Sequence, residues 1–457
     1  MTYPLGPDSH LYRADLDEWL TNVAIRYGAE YRERTSVDDI DISSDEVHLQ
    51  TSDGPLRARF VVDASGGRSP VSQKLAQRRD DPGFGTNSRS IFTHMVGVRP
   101  LQDVLEKHLR FPSPPDQGTL HHTFDHGWFW VIPFNNHSNA VNPLCSVGLT
   151  LDRRHYPDND LPAEEEFRQF TERFPVVQRQ FEQAKSVRTW VKTGRIQYRS
   201  EALAGERWMI MPHAASFIDP LFSSGLVQTL AGVHDAADTL LNPSSTGTIS
   251  PEKASMLAAS ASSNLNCVDH IVHGAYMSFR SPRVFNAWFR IWASCNYQAS
   301  LGLVRVYLKY LGCKTPDVLR EIDDPIYRRV LGHGHPRVQK LIEDGYEIMK
   351  RFDAGELDDD AAVEALFALL GKADWIPPQF RIAERNRSDL GSFTFFPLMR
   401  IVIWGKFRGP RDMRATHYDV GKMYFVELLR SIGREASRSI ANFWRVFRDA
   451  WTAHWRS

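Results

Sequence analysis

The stretch Gly127-Trp-Phe-Trp-Val-Ile-Pro-Phe134 constrains the fold more than any other part of this chain. Its aromatic and β-branched residues favour an extended strand. In a strand, Trp128, Trp130 and Ile132 point to one face, and Phe129, Val131 and Pro133 to the other. Two indoles two residues apart make a broad, stiff surface, and each carries an N–H that needs a partner when buried. A strand packed on both faces satisfies this pattern. So does the wall of a ligand chamber, and the residues alone leave both readings open.

A second string, Phe217-Ile-Asp-Pro-Leu-Phe-Ser-Ser-Gly-Leu226, lies between a strand-like run, Trp208-Met-Ile-Met211, and an apolar, helix-like stretch from Leu226 to Leu241. Asp219 and Pro220 read as a turn, because proline presets φ and aspartate bonds nearby backbone N–H groups. Ser223, Ser224 and Gly225 then open a helix whose first N–H groups lack helical partners and attract an anion or an electron-rich ring edge. An ordinary capped strand–turn–helix would read the same way. Earlier, Val47–Thr51 and Arg57–Val62 suggest a hairpin around Asp53-Gly54. The second arm runs into Phe60-Val-Val-Asp-Ala-Ser-Gly66, where glycine lets backbone approach a bound group closely.

Together these strings resemble the flavin-dependent halogenases of the p-hydroxybenzoate-hydroxylase superfamily. Trp-x-Trp-x-Ile-Pro resembles the wall between flavin and substrate chamber, assigning Trp128, Trp130, Ile132 and Pro133 to the catalytic region. Asp219, Pro220, Ser224 and Gly225 match the loop that covers the isoalloxazine, with amides near the halide; its Leu-Phe-Ser-Ser-Gly form is most similar to halogenases of phenols or pyrroles. Asp63 and Gly66 match the segment after the family's β-meander. Leu11–Leu20 resembles the family helix whose arginine, here Arg13, faces the ribityl or phosphate region, and Val37 stands where backbone meets the adenine. The resemblance implies that reduced FAD, oxygen and halide produce hypohalous acid, which passes the tryptophan wall to a lysine and an electron-rich aromatic substrate. A separate flavin reductase is an implied partner. The alternatives are a flavin monooxygenase or reductase of the same superfamily, and a non-catalytic remnant or N-terminally truncated product.

Two departures bear on FAD. The sequence has no Gly-x-Gly-x-x-Gly, the turn that holds the ADP pyrophosphate in such proteins. Pro212-His213 also replaces the family's Gly-Asp; His213 retains one hydrogen bond for the cofactor, while Pro212 removes a backbone donor. Weakened FAD binding is expected on both counts. Lys74 and Lys107 do not stand in the family's lysine context, and neither is assigned its role.

The expected architecture is α/β with an α+β substrate sheet. A truncated, Rossmann-like FAD-binding domain occupies 1–85 and 201–242, a substrate-binding sheet 86–200, and a helical C-terminal domain 250–457. Residues 162–185 read as an acidic helical crossover, and Ala254–Leu311 carries aromatics at helical spacing. Equal counts of 55 basic and 55 acidic residues argue against nucleic-acid binding. Cys145, Cys267, Cys295 and Cys313 form no Cys-x-x-Cys pair, so neither a metal cluster nor a disulfide framework is expected. Gly332-His-Gly-His335 lacks nearby ligands at metal spacing, and Asp358–Asp360 reads as a helix start. No signal peptide or apolar run of membrane-spanning length appears, making the cytoplasm the default. A stripe from Phe425 to Trp451, flanked by arginines, reads as an amphipathic helix that docks on the protein, binds a partner or lies on an anionic membrane.

Overall fold

Alternation along three neighbouring strands builds the central feature of this computed structural model. It describes residues 9–419 except 76, 77, 80, 112, 113, 138, 242–246 and 388–394, together with 430, 433 and 437. Two compact units divide the described chain, Ser9–Pro282 and Arg283 onward.

The first unit opens with helix α1 (Arg13–Arg26), followed by a meander of β1 (Val37–Ile42), β2 (Val47–Thr51) and β3 (Gly54–Ala58). Gly54, at φ +104°, takes the backbone conformation that the turn between β2 and β3 requires. The sequence reading carried this hairpin's second arm through to Val62. Instead it ends at Ala58, and Val61–Asp63 forms a separate strand, β4, which pairs in parallel with β13 (Trp208–Ile210). β12 (Ala204–Gly205) completes that three-stranded sheet. The break lets Val61 and Ile210 share a core with Ile40, Val47 and Val71 of the meander and of helix α2 (Pro70–Lys74).

The six-stranded sheet is antiparallel throughout, in the order β10 (Val191–Lys192), β5 (Ser88–Val96), β8 (Cys145–Asp152), β7 (Gly127–Pro133), β6 (Leu120–Phe124), with β9 (Lys185–Ser186) also on β5. One face is apolar. Ile91, Phe129, Val131, Val147, Leu149 and Leu151 pack beneath the crossover helices, where they meet Phe167 and Val177. After a short α3 (Leu101–Val104), that crossover comprises α4 (Ala163–Glu172) and α5 (Pro175–Phe181), helical as its composition suggested. A buried ion pair interrupts the apolar layer. Arg89 reaches Glu166 through contacts of 2.5 and 3.2 Å, and Lys192 lies 2.8 Å from the same carboxylate.

The chain then passes through β11 (Tyr198–Arg199), which pairs with β14 (Ser216–Phe217), and through the short helix α6 (Pro212–Ala215). Helix α7 (Gly225–Leu241) follows the Asp-Pro turn, and α8 (Pro251–Ser278) closes the unit. On α8, Asp269 accepts from the amides of Gly85 and Thr86 at 2.9 and 3.0 Å, tying this helix to the start of the sheet.

The second unit is built on α9 (Pro282–Cys313), with α10 (Pro325–Arg328), α11 (Pro336–Asp353), α12 (Asp359–Gly371), α13 (Phe395–Phe407) and α14 (Arg411–Met413). A Cβ at Gly345 would stand 2.7 Å from Ile291, so glycine permits the close approach of α11 to α9. Asp358 caps α12 by accepting from the Ala361 amide at 2.8 Å, as a helix-start aspartate should. His335 caps α11 in the same way, accepting from the Arg337 amide at 3.3 Å. The Phe425–Trp451 stripe lies outside the described residues. Among those residues, no helix is long and apolar enough to cross a membrane.

Candidate functional site

The second face of the six-stranded sheet is polar and aromatic. Register places Trp128 opposite Thr150, and Thr150 opposite Ser90; one pair further along, Trp130 faces Gly148 and Gly148 faces Phe92. Trp128 and Trp130 therefore project together from this face, with ring centroids 5.6 Å apart. A Cβ at position 148 would lie 2.1 Å from the Trp130 ring, so glycine is what lets that indole lie flat across β8. The Trp130 N–H donates to the Ser146 hydroxyl at 3.2 Å. His121 stands edge-on to Trp128 with a centroid distance of 5.0 Å, and burial lowers its pKa to about 4, leaving a neutral ring against the wall. Ile132 and Pro133, both half-buried, end the strand. There the Pro133 carbonyl lies 2.5 Å from Nδ1 of His10, just before α1.

The Trp128 N–H reaches a partner that sequence reasoning did not find. It donates at 3.1 Å to the phenol oxygen of Tyr276, on α8. That phenol donates in turn to Oδ2 of Asp219 at 3.1 Å. Ser88 donates to the same oxygen at 2.5 Å, and the Leu221 amide donates to Oδ1 at 3.0 Å. Gln197 holds Ser88 from behind, its Nε2 donating to the Ser88 hydroxyl at 2.8 Å and to the Ile218 carbonyl at 2.6 Å. Burial pushes the Asp219 carboxyl up to about 6, against the three donors that favour its charge. Thus the aspartate of the Asp-Pro turn and the first tryptophan of the wall belong to one buried network. Ser88, Gln197 and Tyr276 leave no local signature: Ser88 opens β5, Gln197 stands in the loop before Tyr198, and Tyr276 is one of many core residues of α8.

Beyond Asp219, Pro220 leads into a tight turn in which Phe222 and Ser223 both take positive φ, 67° and 54°. Ser224 then precedes Gly225, the first residue of α7, and accepts from the Gln228 side chain at 3.3 Å. His213 lies beside this helix start. A Cβ at Gly225 would come within 2.9 Å of its ring, and its Nδ1 is 3.5 Å from the Thr229 hydroxyl. Burial and then the charge of Arg13 lower the His213 pKa, so Arg13 is within electrostatic reach of this ring. Arg13 itself is exposed and pairs with Asp17 at 2.8 Å.

Two further residues staple the glycine segment to this turn. Tyr198 donates to the His213 carbonyl at 2.6 Å, and its ring comes within 3.6 Å of a Cβ built at Gly67. Arg78 donates to the carbonyls of Gly67 and, at 2.7 Å, of Ala214. Gly66 sits at φ +71° with open space where a Cβ would point. Asp63 spends its carboxylate within its own turn, accepting from Ser65 at 2.6 and 2.9 Å, Ser69 at 2.5 Å and the Val71 amide at 3.1 Å. Val37 is exposed at the start of β1. The structure therefore sets His213 beside Gly225 with Arg13 in electrostatic reach, ties Gly67, next to Gly66, to residues 213 and 214 through Tyr198 and Arg78, and buries Asp219 behind Pro220. The Asp63 side chain is turned to local structure.

A sequence profile described as tryptophan halogenase matches residues 4–285. The monodechloroaminopyrrolnitrin halogenase of Pseudomonas fluorescens is 34% identical over 429 residues, 92% of this chain and 75% of that protein. Tetracycline 7-halogenase of Kitasatospora aureofaciens is 36% identical over 406 residues, 88% of this chain and 72% of that protein. Among solved structures, halogenase PltM in complex with phloroglucinol and FAD superposes with a TM-score of 0.77 at 28% identity, covering 83% of this chain and 76% of that one. The chain belongs to the tryptophan halogenase family, the FAD-dependent halogenases, as its tryptophan strand and Asp-Pro turn implied.

Proposed function

We propose that this protein halogenates an electron-rich aromatic ring bearing a hydroxyl or amino group, using halide and reduced FAD delivered by a separate flavin reductase. One observation carries the reading: the tryptophan wall and the Asp-Pro turn share the buried Trp128–Tyr276–Asp219 network. The wall thereby stands at a set place relative to the turn. Halogenases that resemble this chain over most of its length support an aromatic substrate. So does the relative whose structure holds phloroglucinol.

The residues around the turn suit FAD. The Ser224–Gly225 amides open a 17-residue helix, where unpaired N–H groups and the helix dipole favour a halide or a carbonyl edge. His213, held neutral by burial beside Gly225, offers one ring nitrogen to a hydroxyl or carbonyl. Gly66 leaves its backbone open to close approach, while Arg13 supplies positive charge near His213, and Val37 is the assigned contact for the adenine side. When bound and reduced, FAD would supply the two electrons that take oxygen to the peroxide level, the oxidant that halide needs to become hypohalous acid. The chain's own contribution is separation and orientation. In this reading Trp128, Trp130, Ile132 and Pro133 form the barrier that keeps the organic substrate from the flavin side, the two indoles being buried at 1% and 9% exposure.

The test is direct. Purified protein is supplied with FAD, NADH, a flavin reductase, oxygen and either chloride or bromide, and offered phenol, phloroglucinol and pyrrole probes. Halide-dependent mass gain with the chlorine or bromine isotope pattern is the expected outcome. A hydroxylated product, or product formation indifferent to halide, overturns the proposal.

A further inference from the structure

The hydrogen-bond chain joining wall and turn runs in one direction only. An indole N–H is a donor and nothing else, so Tyr276 must accept from Trp128 and has a single proton left to give. That proton points to Oδ2 of Asp219. Gln197 donates to Ser88, which likewise commits the Ser88 proton to Asp219. With the Leu221 amide on Oδ1, the carboxylate receives three donors and gives none, the pattern of an ionised group. Trp128, Tyr276 and Asp219 are 1%, 3% and 5% exposed, so water does not substitute for any of these partners. Phe279, one helical turn from Tyr276, lies against its ring at 5.2 Å.

We propose that Tyr276 is a positioning residue for halogenation, its hydroxyl locking the Trp128 indole to the Asp219 turn so that wall and turn keep one geometry. This inference rests on the proposed function and names a residue on which the separation at that site depends. Tyr276 acts through Trp128 and Asp219. Without its oxygen the indole N–H and one carboxylate lone pair are buried unpaired, and the ring loses the bond that selects its rotation. The wall then no longer closes reliably between oxidant and substrate.

The experiment compares the full-length wild type with Tyr276→Phe, Trp128→Phe, the double variant and Phe279→Leu. Two quantities are read: halogenated product per reduced flavin consumed, and the indole N–H resonances of protein carrying 15N-labelled tryptophan, recorded without flavin. Trp128→Phe assigns its resonance by deleting it. In Tyr276→Phe that resonance shifts upfield, and coupling falls about tenfold, the scale of a misplaced reacting geometry, while substrate KM changes less than about twofold. Phe279→Leu removes ring packing but keeps the bond, and leaves both readings near wild type. The double variant is no worse than the poorer single. Should Tyr276→Phe not fold, the wild-type resonance decides: a Trp128 indole N–H downfield of free indole and slow to exchange supports the bond to Tyr276, and a free-indole shift overturns it. An unmoved resonance, unchanged coupling, or additive losses overturn the assignment. A wild type that halogenates no probe overturns the proposed function instead, and the resonance then decides separately whether Tyr276 holds the indole.

Discussion

Gly148 shows how a single missing side chain shapes the wall. Its neighbour across the strand pair, Trp130, occupies the space a Cβ would need. In Gly148→Ala that ring must rotate away or β8 must shift, at a cost of about 1–3 kcal/mol for overpacking a filled site. Urea denaturation should report that loss, and near-ultraviolet circular dichroism a changed tryptophan environment; wild-type values in both would refute the packing argument. At this scale the tryptophans themselves were legible, since period-two alternation assigned them to one face. The strand is packed on both faces: Phe129 and Val131 bury one, and Trp128 and Trp130, 1% and 9% exposed, are buried on the other. The partners were not legible. Tyr276 is 148 residues from Trp128 and 57 from Asp219, and no local pattern marks an indole's acceptor.

Among the elements, α4 is fastened to the sheet by charge as well as by phenylalanines. Glu166 is buried yet its pKa is held below the usual range: burial raises it, and hydrogen bonds from Arg89, Lys192 and Asn159 outweigh that cost. The acidic character of 162–185 was visible in the sequence, but an acidic helix is ordinarily a solvated one. Only its docking on β5 shows that this glutamate faces inward to Arg89. Glu166→Ala should strand a buried guanidinium and cost about 3–5 kcal/mol, read as a lower urea midpoint at an unchanged slope. Glu166→Gln, which still accepts one hydrogen bond, should fall between. Equal stability of all three proteins would mean that solvent replaces the pair.

On the scale of the whole molecule, buried histidines in both units and one buried carboxyl shape the response to pH. In the helical unit His417 is buried, and desolvation followed by the neighbouring charges of His335 and Arg305 lowers its pKa to about 4. The unfolded chain, with an ordinary histidine value near 6.5, binds more protons than the fold between about pH 6.5 and 4. That contribution is complete above about pH 6.5 and is lost as pH falls toward 4, with a slope of roughly 1 kcal/mol per pH unit. In the sheet unit His121 works in the same direction, but Asp219 opposes it: its raised value near 6 stabilises the fold at low pH and is lost as pH rises from about 4 through 6. Urea midpoints measured from pH 7.5 to 5 on probes within the helical unit should therefore fall, and His417→Gln should flatten that fall. A pH-independent midpoint in the wild type would contradict the neutral, buried imidazole.

Alone, the sequence determined the tryptophan strand, the Asp-Pro turn opening a helix, the helix start at Asp358, and the family. Each of these rests on short-range rules: side-chain alternation, turn chemistry and unpaired amides at a helix end. The tertiary structure decided which groups the buried polar atoms meet. It split β4 from β3 to pair it with β13, turned Glu166 inward, and brought Tyr276 and Ser88 to Asp219. The reason is that a buried donor's need for an acceptor is set by its own chemistry, whereas the acceptor's identity is set by whichever distant element packs against it.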